Sequence, residues 1–149
     1  MERNKRRGFS LVELLVVIVV LGIILAIGVP GYRQYMQRAN RADATTTLLR
    51  IAAAQERFFI QNGSYASTAQ LAPAPPAGLG ITGTERGYYD LVIAPGPGGL
   101  ATGYTAWAVI AAGEAQADDS DCAGFSINER GQRVAVDSSG VDRTEECWR

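Results

Sequence analysis

Histidine is missing from all 149 residues. Its absence removes the commonest general base and the commonest zinc ligand together. Cysteine occurs only at Cys122 and Cys147, too far apart for a CxxC redox or metal motif. Neither sign of charge dominates: 14 Lys+Arg stand against 15 Asp+Glu, a net charge of -1. That balance gives no electrostatic case for nucleic acid bound along the whole surface. Gly96, Gly98 and Gly99 do not make a phosphate-binding loop, because no lysine follows and no helix opens after them. With no nucleophile–base pair and no cofactor loop, neither an enzyme nor a bound cofactor is expected.

What is present is unevenly placed. Arg3, Lys5, Arg6 and Arg7 crowd the start, while Asp118, Asp119, Asp121, Asp137, Asp142, Glu145 and Glu146 crowd the C-terminal third. A cut after Gly8 would leave 10 basic and 14 acidic groups, a net charge of -4. From Leu14 to Val29 no residue is charged or strongly polar. With Phe9–Val12 this run is long enough to cross a bilayer as one helix, at about 1.5 Å per residue against a hydrocarbon core of about 30 Å. The basic residues before it orient the N-terminus toward the cytoplasm. The alternative is a secretory signal peptide cut near Ala26, but the run exceeds the usual apolar core of about 7–15 residues.

Glu13 is the one carboxylate in this run. Near a helix end it could snorkel to the headgroups; deeper, it needs a cation, since an unpaired charge in hydrocarbon costs several kcal/mol. No Lys or Arg lies between Gly8 and Arg33. A cation arises only if the chain is cut before Phe9, which frees an α-amino group.

The basic leader, Gly8-Phe9-Ser10-Leu11-Val12-Glu13 and the apolar run ending near Pro30 resemble the prepilin signal of type IV pilins and type II secretion pseudopilins. The resemblance implies cleavage after Gly8 by the prepilin peptidase and N-methylation of Phe9. It also implies that Glu13 of an incoming subunit pairs with the Phe9 ammonium of a neighbour. At about 4 Å and an effective dielectric near 20 that attraction is on the order of 4 kcal/mol before desolvation, so its value lies in register rather than net stability. Gly22, Gly28 and Pro30 interrupt the helical pattern, predicting a kink or a stretch that loosens on assembly.

Beyond Pro30, Tyr32, Tyr35, Ala39, Ala42, Thr46, Leu49, Ala53 and Ile60 recur at helical spacing and predict the buried stripe, widened by Leu48, Ile51, Ala52, Phe58 and Phe59. Arg33, Arg38, Arg41, Arg50 and Arg57 read as a solvated face or a set of subunit contacts. The helix is predicted to end near Gln61-Asn62-Gly63. Arg38–Ala44, Ala54–Phe59 and Asn62–Tyr65 are similar to the minor pilins of the PilE type.

The Pro- and Gly-rich stretch Ser64–Gly87 reads as a loop. Strands are predicted at Tyr88–Ile93, Tyr104–Ala111, Ala123–Asn128 and Gln132–Val136, the last two joined by a turn at Asn128-Glu129-Arg130-Gly131. Outside the cytoplasm Cys122 and Cys147 are expected to oxidise, and the resemblance implies that the bridge bounds an exposed loop, with Trp148 packed on it. Asp118, Asp119 and Asp121 offer oxygen ligands for calcium, or else a solvated turn.

The expected architecture is α+β, the pilin ladle. Residues 1–8 are a cleaved leader, 9–30 a membrane and fibre-core helix half, and 31–149 a head of about four antiparallel strands on the rest of the helix. The expected function is a structural subunit, a minor pilin, supporting fibre assembly, adhesion or twitching motility. Its expected partners are the prepilin peptidase, other pilins and the assembly machinery. Its expected location is the inner membrane, single-pass, then the extracellular fibre. One alternative is a type II secretion pseudopilin in a periplasmic fibre. Another is a pilin that captures DNA, which ranks low because only Arg86, Arg130, Arg133, Arg143 and Arg149 serve the head; nucleic acid is therefore an unlikely partner.

Overall fold

A computed structural model describes residues 9–148. One helix, α1, runs from Leu11 to Asn62 over 52 residues, unbroken in its backbone assignment through Gly22, Gly28 and Pro30. The chain divides into two compact units, the first ending at Met36 and the second beginning at Gln37. In the first unit the large apolar side chains from Phe9 to Val29 are exposed. This helix is long and apolar enough to cross a membrane.

In the second unit the remainder of α1 carries an antiparallel sheet. Its strands β1 (Tyr89–Pro95), β2 (Tyr104–Ile110), β3 (Gly124–Asn128) and β4 (Arg133–Val136) lie in the order β1-β2-β3-β4. Each strand neighbours its predecessor, so every connection is a turn or loop rather than a crossover. Register follows from alternation: Val92, Trp107, Ser126 and Val134 form one cross-strand row on the outer face. Ala108, Phe125 and Ala135 form a row on the inner face. A one-residue slip would exchange the two faces. All four strands begin and end within two residues of their predicted bounds, because glycine and proline mark the ends.

The core unites the inner face with α1. Tyr89, Ile93, Ala106, Ala108, Phe125, Ile127 and Ala135 of the sheet cluster with Ala44, Leu48, Ile51, Ala54 and Phe58 of the helix. The predicted helix stripe is corrected in part: Leu48, Ile51 and Phe58 are buried as expected. Tyr32, Tyr35, Ala42, Thr46, Leu49, Ala53 and Ile60 are exposed, and the buried face is Asn40, Ala44, Thr47, Leu48, Ile51, Ala54, Gln55 and Phe58. Both faces of this helix carry apolar residues, so periodicity alone does not choose between them.

The helix ends at Asn62, and Gly63 takes the left-handed conformation (φ +71°) that a C-cap requires. The loop that follows is packed, not loose. After a 3-10 turn at Thr68–Gln70 it folds back with Leu79 N–H on Gln70 O and Ile81 N–H on Leu71 O, both 2.8 Å. Leu71, Leu79 and Ile81 enter the core. Three short elements escaped prediction: the 3-10 turns at Thr68–Gln70 and Ala115–Asp118 and the one-turn helix α2 at Thr144–Cys147.

Candidate functional site

Phe9 is 80% exposed, and Glu13 sits exposed in the first turn of α1. Neither has a charged partner among the described residues. Gly8, with the basic leader, lies outside the described residues, as does Arg149.

Cys122 and Cys147 form the disulfide, with Cα atoms 5.9 Å apart and a sequence separation of 25. It closes a loop that contains the whole β3–β4 hairpin. Trp148 packs next to it in a manner more specific than expected. Its Nε1–H donates to Val134 O at 3.0 Å, its ring meets Phe125 edge-on at 6.1 Å, and the Arg133 guanidinium lies over it at 5.2 Å.

A buried polar network that no sequence motif signals ties α1 to the β2–β3 connection. Arg41 donates through Nε and Nη2 to both carboxylate oxygens of Asp119, at 2.7 and 2.6 Å. This pairing raises the Arg41 pKa against the opposing effect of desolvation. Gln116 donates to Asp119 at 2.7 Å and accepts from Asn40 at 2.9 Å. Arg86 donates to Asn40 at 2.8 Å, while Asp43 accepts the backbone N–H groups of Glu85 and Arg86 at 3.0 and 2.9 Å. The calcium reading fails on this geometry: Asp119 is buried with both oxygens engaged, whereas Asp118 and Asp121 are exposed. Among the described residues no group of three acidic, His or Cys side chains is placed to hold a metal.

The same geometry sorts the head's arginines. Arg41 and Arg86 are committed to the network. Arg143 lies 3.5 Å from each of Asp137 and Glu146. Arg38, Arg50 and Arg57 are exposed along α1. Arg130 and Arg133 stand at the β3–β4 turn, beside a groove of about 420 Å³ on the outer sheet face. Thr105, Trp107, Ser126, Asn128, Gln132 and Val134 line that groove with Arg133. No carboxylate is among them. A half-buried tryptophan, hydroxyls, amides and guanidinium groups can together bind a polar, anionic, partly aromatic ligand.

Comparison with known proteins fits this chemistry. Residues 30–126 match the family described as "Type IV minor pilin ComP, DNA uptake sequence receptor", and residues 3–29 match the prokaryotic N-terminal methylation motif. The fimbrial protein EcpC of Eikenella corrodens is 31% identical over 105 residues, covering 68% of this chain and 64% of that protein. The type IV major pilin protein PilA of Myxococcus xanthus is 33% identical over 75 residues, covering 50% and 34%. The type II secretion system core protein G of Pseudomonas aeruginosa is 40% identical over 73 residues, covering 47% and 49%. The chain thus spans between about a third and two thirds of the length of these curated relatives. A solved type IV pilin from Shewanella oneidensis shares the fold, with a TM-score of 0.50 and 26% identity over 76% of this chain and 98% of that one. The low rank given to nucleic acid does not stand beside a family described as a DNA uptake sequence receptor.

Proposed function

The chain belongs to the type IV minor pilins of the ComP family, and from that premise we propose that it is the DNA-capturing subunit of a type IV pilus. The observation that carries this reading is the family match over residues 30–126, which takes in the sheet-packed part of α1, β1, β2 and the start of β3. The carboxylate-free groove beside Arg130 and Arg133 supports it. Binding would be dominated by phosphate contacts and would weaken steeply with salt.

The N-terminal element supplies assembly. The methylation motif at residues 3–29 supports processing by the prepilin peptidase after Gly8, methylation of Phe9, and docking through Glu13 on a neighbour's new ammonium. In this reading the subunit waits in the inner membrane with α1 as its anchor, then joins the fibre. Gly22, Gly28 and Pro30 supply the weak point of the helix.

Two measurements test the proposal. Full-length chain in detergent should shift the anisotropy of fluorescein-labelled duplex DNA, and the shift should fade as salt rises. No binding at low salt overturns DNA capture. Mass spectrometry of sheared surface fibres should find the chain beginning at methylated Phe9. Processed chain held only in the periplasm would favour a secretion pseudopilus instead, the reading that the likeness to core protein G supports.

A further inference from the structure

From Gln37 to Trp148 the chain holds eight arginines, no lysine and 13 Asp+Glu. A polyanion is repelled by most of such a surface and can settle only where cations locally outnumber carboxylates. Arg41, Arg86 and Arg143 are spent on protein partners. The turn end of the β3–β4 hairpin brings Arg130, which has one exposed contact to Glu129 at 3.3 Å, and Arg133 beside a groove whose lining holds no acid.

The local geometry there is suited to contact. The Arg130 side chain is 76% exposed. Its neighbour Glu129, 3.3 Å away, is only 19% exposed and is turned against Gly103, where a Cβ would meet its carboxylate at 3.0–3.3 Å. Arg133 rests on the Trp148 ring, which fixes the guanidinium, and it also lines a pocket with Asp142, Glu145 and Glu146. The turn is held by its own side chains. Asn128 Oδ1 accepts the N–H groups of Arg130 and Gln132 at 3.0 and 2.9 Å, and Asn128 Nδ2 donates to Gln132 Oε1 at 2.7 Å. Those bonds orient the Gln132 amide and leave its nitrogen without a protein partner among the described residues. A two-stranded ribbon is one of the elements that the DNA major groove admits.

We propose that the turn end of the β3–β4 hairpin is the element of this chain that touches DNA. Arg130 and Arg133 hold phosphates, Gln132 offers its amide to a base edge, and Trp107 with Val134 forms the apolar floor. This assignment rests on the reading of the chain as a DNA-binding pilin. It does not come with the family match, which ends at residue 126, before the turn and β4.

The test is fluorescein-duplex anisotropy on full-length protein in detergent, with thermal melts as the folding control. The variants are Arg130→Ala, Gln132→Ala and the double variant Arg130→Ala/Arg133→Ala, with Arg50→Ala/Arg57→Ala on α1 as the comparison. The double hairpin variant is expected to bind at least about tenfold more weakly and to lower the log–log salt slope by about 2. Gln132→Ala is expected to narrow the difference between preferred and unrelated sequences. If Arg133→Ala unfolds the edge, the exposed Arg130→Ala alone decides, with a slope lowered by about 1. Wild-type binding that survives every hairpin variant and falls in the α1 variant overturns this assignment and leaves DNA capture standing. Wild-type protein that binds no duplex overturns both.

Discussion

Arg41 on α1 and Asp119 in the β2–β3 connection, 78 residues apart in sequence, meet in a two-pronged ion pair at 2.6 and 2.7 Å. Asp119 is almost fully buried, so the pair is the fastening that holds the acidic connection against the helix. Removing the arginine would strand a buried carboxylate. Arg41→Ala is expected to cost about 2–3 kcal/mol in a denaturant titration. Arg41→Lys should recover only part of it, because an ammonium cannot match both oxygens. A variant as stable as wild type would show that the connection is held by other contacts.

Gln55 makes the second fastening. Fully buried, it donates to Ala66 O at 2.9 Å and accepts the Ala66 N–H at 2.7 Å, pinning the start of the packed loop to α1. Gln55→Leu keeps the bulk and leaves two backbone groups unpaired, at a cost of about 2–3 kcal/mol. Gln55→Glu keeps one bond and places a charge in the core. Chemical denaturation of the two side by side should find both below wild type.

How far the sequence reached is clearest along α1. Its strand partners were legible because alternation and glycine-rich turns are local signals. Its own buried face was legible only in part, at Leu48, Ile51 and Phe58. Leu49 and Ile60 look like core residues and are exposed, whereas Gln55, Asn40 and Thr47 look solvated and are buried. Burial of those polar groups depends on partners at Ala66, Gln116 and elsewhere that no spacing rule connects to them. The methylation motif at residues 3–29 needed no tertiary information. The arginines did: eight equivalent letters became paired, stacked or outward only after folding.

Opening the disulfide should loosen the head. Cys122→Ser, or reductant on the wild type, is expected to lower stability by about 3 kcal/mol on the chain-entropy account of a loop this long. Equal melting midpoints with and without reductant would contradict that.

Stability should fall at both ends of the pH scale, for different reasons. Asp137 accepts the N–H of Val141, chiefly, and that of Ser139, and Asp142 accepts that of Thr144; these bonds hold both carboxyls below the usual range. Their contribution is present above the unfolded carboxyl value of about 4 and is lost as pH falls through the depressed folded values. Burial pushes the Tyr89 and Tyr104 phenols well above the ordinary range. The stability they confer is complete below about pH 10 and disappears as pH rises toward the raised values. Melting curves across pH should show the alkaline limb shrink in Tyr89→Phe.

Glu13→Ala should separate anchoring from assembly. The variant is expected to accumulate in the membrane and to be missing from sheared fibres, as quantified by mass spectrometry. Wild-type amounts in the fibre would remove Glu13 from the docking step.

The placement of the Cys122–Cys147 bond around the whole β3–β4 hairpin has a consequence for survival outside the cell. Arg130, at the hairpin's exposed tip, is an open target for a trypsin-like protease. A cut there would not release the C-terminal piece, because the bond spans the cut. The nicked chain would run as one species on a gel without reductant and as two with it. Its β3 and β4 would still be paired in place, so a scar at the tip need not discard the subunit.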